Sequence, residues 1–161
     1  MDFRVGFGYD SHRLETGLKF RLGGVDIESE KGCVAHSDGD ALIHALCDAL
    51  FGAAGLEDIG THFPDNDLNF KGIDSTILLA RTVDILHEEG WKINNTDLTI
   101  ILERPKLADY KPLIKNKLAE ILRIAPAAVS VKAKTNEKMG FLGRGEGVAA
   151  LAAVTLTRET E

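Results

Sequence analysis

The chain has 161 residues and a formal net charge of −6, which suits one domain and excludes the basic surface that non-specific nucleic-acid binding needs. It is 44% hydrophobic but only 6% aromatic, so aliphatic side chains must fill its core. No apolar run reaches the ~18 residues of a membrane span, no signal-peptide pattern is evident, and Cys33 and Cys47 form no CxxC pair, so a soluble cytoplasmic protein in a reducing compartment is expected.

In chain order, Phe3 to Tyr9 alternates apolar and other residues and reads as a strand. Lys19–Leu22 and Val25–Ile27 flank Gly23-Gly24, a hairpin signature. Ser37-Asp38 can cap a helix running to about Gly55, with Ile43, Leu46, Leu50 and Ala53 or Ala54 as its apolar stripe. Glu57 to Asn69 reads as a long loop, and long loops are often functional. Asp74-Ser75 caps a second helix ending near Gly90, with Leu78, Thr82, Ile85 and Leu86 inward. Asp97 to Leu102 reads as a strand ending at Glu103-Arg104-Pro105-Lys106. Pro112 suits the first turn of a third helix whose core face is Ile114, Leu118, Ile121 and Leu122. Val129, Val131 and Ala133 alternate with polar residues in a half-buried strand, and Val148 to Leu156 reads as a strand buried on both faces. Interspersed strands and helices imply a single-domain α/β (α+β) sandwich, a mixed sheet covered by helices over residues 1–161. The small residues Ala149, Ala150, Ala152 and Ala153 point to a helix or another subunit packing closely there.

Three segments carry chemistry. Asp10 and His12, two apart on a strand, share a face, and His44 sits near the start of the next helix; together they offer three of the four positions of a tetrahedral zinc, with the fourth open. Asp40 and Asp48, at i−4 and i+4 from His44, are candidates to orient its ring, or else an N-terminal charge and a solvated face. The run Lys132 to Gly147 has four glycines in its last eight residues, together with Lys134, Thr135 and Arg144 as phosphate partners and Glu137 as an oxygen ligand for a hard cation; an ordinary glycine-rich turn is the plainer reading. On the long loop, Asp58-Ile59-Gly60 and Phe63-Pro64-Asp65-Asn66-Asp67 offer acids to polyol hydroxyls, or simply caps and turns.

Gly8-Tyr9-Asp10-Ser11-His12, His36-Ser37-Asp38-Gly39-Asp40 leading to His44, Asp58-Ile59-Gly60, Phe63-Pro64-Asp65 and Gly140 to Gly147 resemble the 2-C-methyl-D-erythritol 2,4-cyclodiphosphate synthase family, in order and over nearly the whole chain. The resemblance implies a homotrimer with sheets packed around a threefold axis and active sites at subunit interfaces. It implies cyclisation of 4-diphosphocytidyl-2-C-methyl-D-erythritol 2-phosphate with release of CMP, a step of non-mevalonate isoprenoid synthesis. Asp10, His12 and His44 would then hold one Zn2+ per subunit, and Glu137 would meet Mg2+ or Mn2+ on the diphosphate. His36 and Thr135 would be catalytic, with Ser11, His36 and Ser37 beside the substrate phosphate. Asp58, Ile59 and Gly60 would lie by the methylerythritol, under a loop of Phe63, Pro64, Asp65, Asn66 and Asp67. Leu102, Glu103, Arg104, Pro105, Lys106, Leu107 and Ala108 would line a cytidine pocket, and Lys134, Thr135, Asn136 and Glu137 would contact the diphosphate. Phe141 and Arg144 would complete the site near the axis, where an isoprenoid diphosphate is a further possible ligand. Lys134 and Asn136 replace threonines that the family often carries. The competing readings are a zinc phosphodiesterase and a non-enzymatic trimer that binds isoprenoid phosphates.

Overall fold

A computed structural model of the chain describes residues 1–64 and 66–159. Its centre is a five-stranded sheet in the order β4-β1-β7-β5-β6, built from β1 (Asp2–Thr16), β4 (Lys31–Cys33), β5 (Lys92–Ile101), β6 (Val129–Lys134) and β7 (Gly147–Arg158). The pairings β1–β4, β1–β7 and β5–β7 are antiparallel, and β5–β6 is parallel, so the sheet is mixed as expected. β2 (Phe20–Leu22) and β3 (Val25–Ile27) form the anticipated hairpin, with Gly23 and Gly24 at φ +59° and +76°, the left-handed pair that a two-residue type I′ turn requires.

The helices are α1 (Ala41–Ala54), α2 (Ile59–His62), α3 (Ser75–Glu88), α4 (Lys111–Leu122) and the short α5 (Gly140–Gly143). Helix α1 presses on the inner face of β1, where the residues are glycines. A Cβ on Gly6 would lie 1.9 Å from Ala49 O, and one on Gly8 1.9 Å from Ala45 O. Ala150 and Ala152 of β7, paired with Asp10 and Gly8, are fully buried, so this half of the small-residue run is explained by close packing on the inner face. Leu42, Leu46, Leu50, Leu79, Leu98 and Ile114 belong to the same core, aliphatic as the composition requires.

Several boundaries differ from the expectation. The cap of α1 is Asp40, not Ser37 or Asp38: Asp40 accepts from Ile43 N at 3.1 Å, and the 37–39 segment before it makes a further turn, with Gly39 at φ +73°. The 57–69 segment is not a structureless loop, since α2 and a 3-10 turn at Leu68–Phe70 lie within it, capped by Asp58 and Asp67. β5 begins at Lys92, before the sequence signal, because a bulge between Ile93 and Asn95 breaks the alternation there. Ala133 is exposed, so the half-burial of β6 ends at Val131. β7 is not buried on both faces: Leu151, Ala153 and Thr155 are only half-buried. That outer face continues onto β1 as Phe3, Val5, Phe7 and Tyr9, all more than half exposed.

Candidate active site

Asp10 and His12 lie on the inner face of β1, in line with Gly6 and Gly8. The close approach of α1 carries its first turn to them. His44, one residue before Ala45, therefore faces Asp10: His44 Nδ1 is 3.2 Å from Asp10 Oδ2. His12 Nδ1 is 3.0 Å from the same oxygen. Neighbouring ligand atoms on a tetrahedral zinc lie about 3.3 Å apart, given bonds near 2.0 Å. Both contacts to Asp10 thus stand at metal-ligand spacing, all three ligand atoms lie within 4.8 Å of one another, and this is the one such cluster among the described residues. His12 Nδ1 supplies a second sign of fit: it is buried and, although close to Asp10, is not aligned for a hydrogen bond. A divalent cation would satisfy that atom.

The charges agree. Burial alone would raise the Asp10 carboxyl, but the two imidazoles beside it hold it below its usual value. Burial would lower His44, but the hydrogen bond and charge of Asp10 outweigh this and hold it above its usual value.

Neither flanking acid orients His44. Asp40 is fully buried and accepts from Gly23 N at 2.8 Å and Gly24 N at 2.7 Å as well as capping α1, so it locks the hairpin to the helix. Asp48 accepts from Ile59 N at 2.8 Å and tethers α2. The far nitrogen of His44 instead meets Ser75 Oγ at 3.0 Å and Ser37 Oγ at 3.3 Å. Ser75, which the sequence marks only as part of a helix start, is 31 residues from His44, and no local pattern could have joined them.

The triad opens onto a cavity of about 650 Å³ whose walls include Ser11, His36, Ser37, Ile59, Phe63 and Asp67. The structure thus gathers much of the first half of the expected site. Asp58 is exposed and accepts from Thr61 N and Thr61 Oγ1, both at 2.9 Å; these bonds hold its carboxyl below the usual range. Gly60, Pro64 and Asn66 are also exposed, and Asp65 lies outside the described residues.

A second cavity, of about 1100 Å³, is lined by Glu103, Arg104, Pro105 and Lys106 together with Lys138 and Arg144. Leu102 and Leu107 are buried in the core and do not line this cavity, while Ala108 is exposed. Glu103 Oε1 accepts from Asn136 N at 2.8 Å and Lys138 N at 3.2 Å, a link between the two expected substrate segments that the sequence did not reveal. Within that turn Thr135 Oγ1 is 3.3 Å from Glu137 Oε1, and Asn136 Nδ2 donates to Met139 O at 2.8 Å, so the Asn136 side chain is engaged in its own turn. Lys134 is exposed, and its carbonyl accepts from Leu102 N at 2.8 Å. Phe141 is 44% exposed, and Arg144 pairs with Glu146 at 2.8 Å. The two cavities share no lining residue.

The YgbB family profile matches residues 3–157. The chain belongs to the YgbB family. It is 53% identical over 158 residues to the 2-C-methyl-D-erythritol 2,4-cyclodiphosphate synthase of Ralstonia pickettii, covering 98% of this chain and 94% of that protein. The synthase of the same name from Phocaeicola vulgatus is also 53% identical, with 98% and 99% covered. Among solved structures, the bifunctional IspDF of Campylobacter jejuni superposes with a TM-score of 0.94 at 40% identity, over 98% of this chain and 43% of that one. The CDP complex of IspF from Plasmodium falciparum has a TM-score of 0.86 at 32% identity, covering 98% and 97%.

Proposed function

We propose that this chain converts 4-diphosphocytidyl-2-C-methyl-D-erythritol 2-phosphate to 2-C-methyl-D-erythritol 2,4-cyclodiphosphate and CMP, as a phosphorus–oxygen lyase of non-mevalonate isoprenoid synthesis acting in the cytoplasm. The observation that carries this reading is the Asp10–His12–His44 cluster at tetrahedral-ligand spacing on the cavity wall of a YgbB-family fold.

The 2-phosphate oxygen attacks the β-phosphorus; the new P–O bond closes the ring as the α–β bridge bond breaks, and CMP leaves with that electron pair. No protein nucleophile is needed, so the task of the protein is positioning and charge stabilisation. Asp10, His12 and His44 would hold Zn2+, which supplies Lewis-acid polarisation of a phosphoryl oxygen when bound. His36 and Ser37, on the wall of the same cavity, hold the substrate phosphate. Asp58 and the backbone of Ile59 and Gly60 take the methylerythritol hydroxyls, under the segment Phe63 to Asp67. Leu102 to Ala108 hold the cytidine, and Lys134 to Glu137 the diphosphate. There Thr135 donates to a phosphoryl oxygen in the transition state, and Glu137 would hold Mg2+ or Mn2+, which supplies charge neutralisation when bound. The Glu103 carboxylate fixes the spacing between these two segments.

The apolar outer face of β1 supports a homotrimer joined through it. Arg144 and Phe141 are candidates to meet an isoprenoid diphosphate on the axis of such a trimer.

Phosphorus NMR of the purified protein with Zn2+, Mg2+ and the cytidylylated substrate tests the reading. A cyclic diphosphate and CMP are expected, and His44→Ala should lose both bound zinc and turnover while staying assembled. Linear products would indicate a phosphodiesterase, and retained isoprenoid-diphosphate binding without turnover a binding module.

A further inference from the structure

The far side of His44 carries an arrangement that the proposed chemistry does not itself require. Ser75 is fully buried at the start of α3, and its Oγ is 3.0 Å from His44 Nε2. Behind it, Ser75 Oγ donates to Asp38 Oδ1 at 2.5 Å, while Ser75 N donates to Asp38 Oδ2 at 2.9 Å. Asp38 is itself fixed: its Oδ1 accepts from Asp40 N at 3.2 Å, and its own N–H bonds to Ile73 O at 3.3 Å. Arg21 adds a charge behind the pair, 4.0 Å from Asp38 Oδ2 and 3.1 Å from Asp74 Oδ2.

The donor order along this chain has one consequence. A carboxylate only accepts, so the Ser75 hydroxyl proton points to Asp38, and Oγ then presents lone pairs to His44. Nε2 must therefore carry a proton. A neutral imidazole protonated at Nε2 has its lone pair on Nδ1, the nitrogen that faces Asp10 and His12. Ser37 Oγ, 3.3 Å from the same Nε2, accepts from Gly39 N, a bond that does not fix its own hydroxyl proton, so the order is set by the shorter contact with Ser75.

We propose that Asp38 and Ser75 form a positioning relay that holds the proton of His44 at Nε2 and so presents Nδ1 to the metal. The relay does for this ligand what a directly bonded carboxylate does at other histidine metal sites, where losing the outer partner costs about 10–100-fold in metal affinity. It rests on the reading of the triad as a metal centre.

Two measurements test it on the full chain. Zinc affinity is measured by competition with a chromophoric chelator for wild type, Ser75→Ala and Asp38→Asn. Nitrogen-15 histidine shifts of the zinc-loaded wild type report which His44 nitrogen is protonated and which is metal-bound. Ser75→Ala keeps the backbone N–H bond to Asp38, so it should fold, and it should bind zinc about 10–100-fold more weakly. Asp38→Asn should weaken it as well, because an amide can donate to Oγ and turn the hydroxyl proton toward His44. Wild type should show a protonated Nε2 and a metal-bound Nδ1. Unchanged zinc affinity in Ser75→Ala, or zinc held through Nε2 in wild type, overturns the relay alone. A wild type that binds no zinc overturns the metal reading and the relay with it.

Discussion

A Cβ placed on Gly8 would lie 1.9 Å from the carbonyl oxygen of Ala45, so strand β1 and helix α1 are in direct backbone contact one step from the Asp10–His12–His44 cluster. Asp10 follows Gly8 on the same strand face, and His44 precedes Ala45 on the helix. Their 3.2 Å contact is therefore set by how closely two backbones approach. The packing link and the functional link are here the same contact.

Gly8→Ala should accordingly damage the site without touching a ligand. The methyl group meets backbone at a depth no rotamer can relieve, so α1 must move outward. Urea unfolding should show a loss of about 1–3 kcal/mol, as for overpacked cores, and zinc affinity should fall with it. A Gly8→Ala protein with wild-type stability and zinc affinity would contradict the proposed origin of the triad spacing.

The protons of the triad set a pH dependence. In the metal-free protein Asp10 is lowered from 3.8, so its contribution to stability is present above that value and is lost as pH falls through the lower folded value. His44 is raised from 6.5, so its contribution is present below that value and is lost as pH rises through the higher folded value. Zinc must displace the His44 proton from Nδ1. The increase in melting temperature on adding zinc should therefore grow as pH is raised above 6.5 and through the higher folded value. A zinc effect on melting that stays flat or shrinks over that span would count against His44 as a ligand.

The outer face of β1 gives a third expectation. Phe7 is 65% exposed, between Val5 at 67% and Tyr9 at 51%, a stripe too apolar for an isolated surface. Phe7→Asp should yield single chains by light scattering. Because the triad faces the other side of the sheet, these chains should still bind zinc, yet turn over at least about 100-fold more slowly if a neighbour completes each site. An assembled, active Phe7→Asp protein would place the subunit contact elsewhere.

What the sequence determined by itself was local. The period-two pattern of β1 put Asp10 and His12 on one face, Gly23-Gly24 announced its turn, and apolar spacing at 3.6 located α1, α3 and α4. These depend on neighbours within a few residues, which a linear reading contains. The tertiary structure decided what depends on contacts across the chain. It made Asp40 the clasp between hairpin and helix and freed it from His44, which is served by Ser75 from another helix and by Asp38 from the preceding turn. It also left the outer face of β7 half-buried, because the neighbours of that face lie on β1 rather than on a second helical layer. The candidate ligand cluster was legible because its spacing is a property of one strand and one helix start. The groups that aim its side chains were not, because hydrogen bonds between residues more than thirty positions apart leave no periodicity to read.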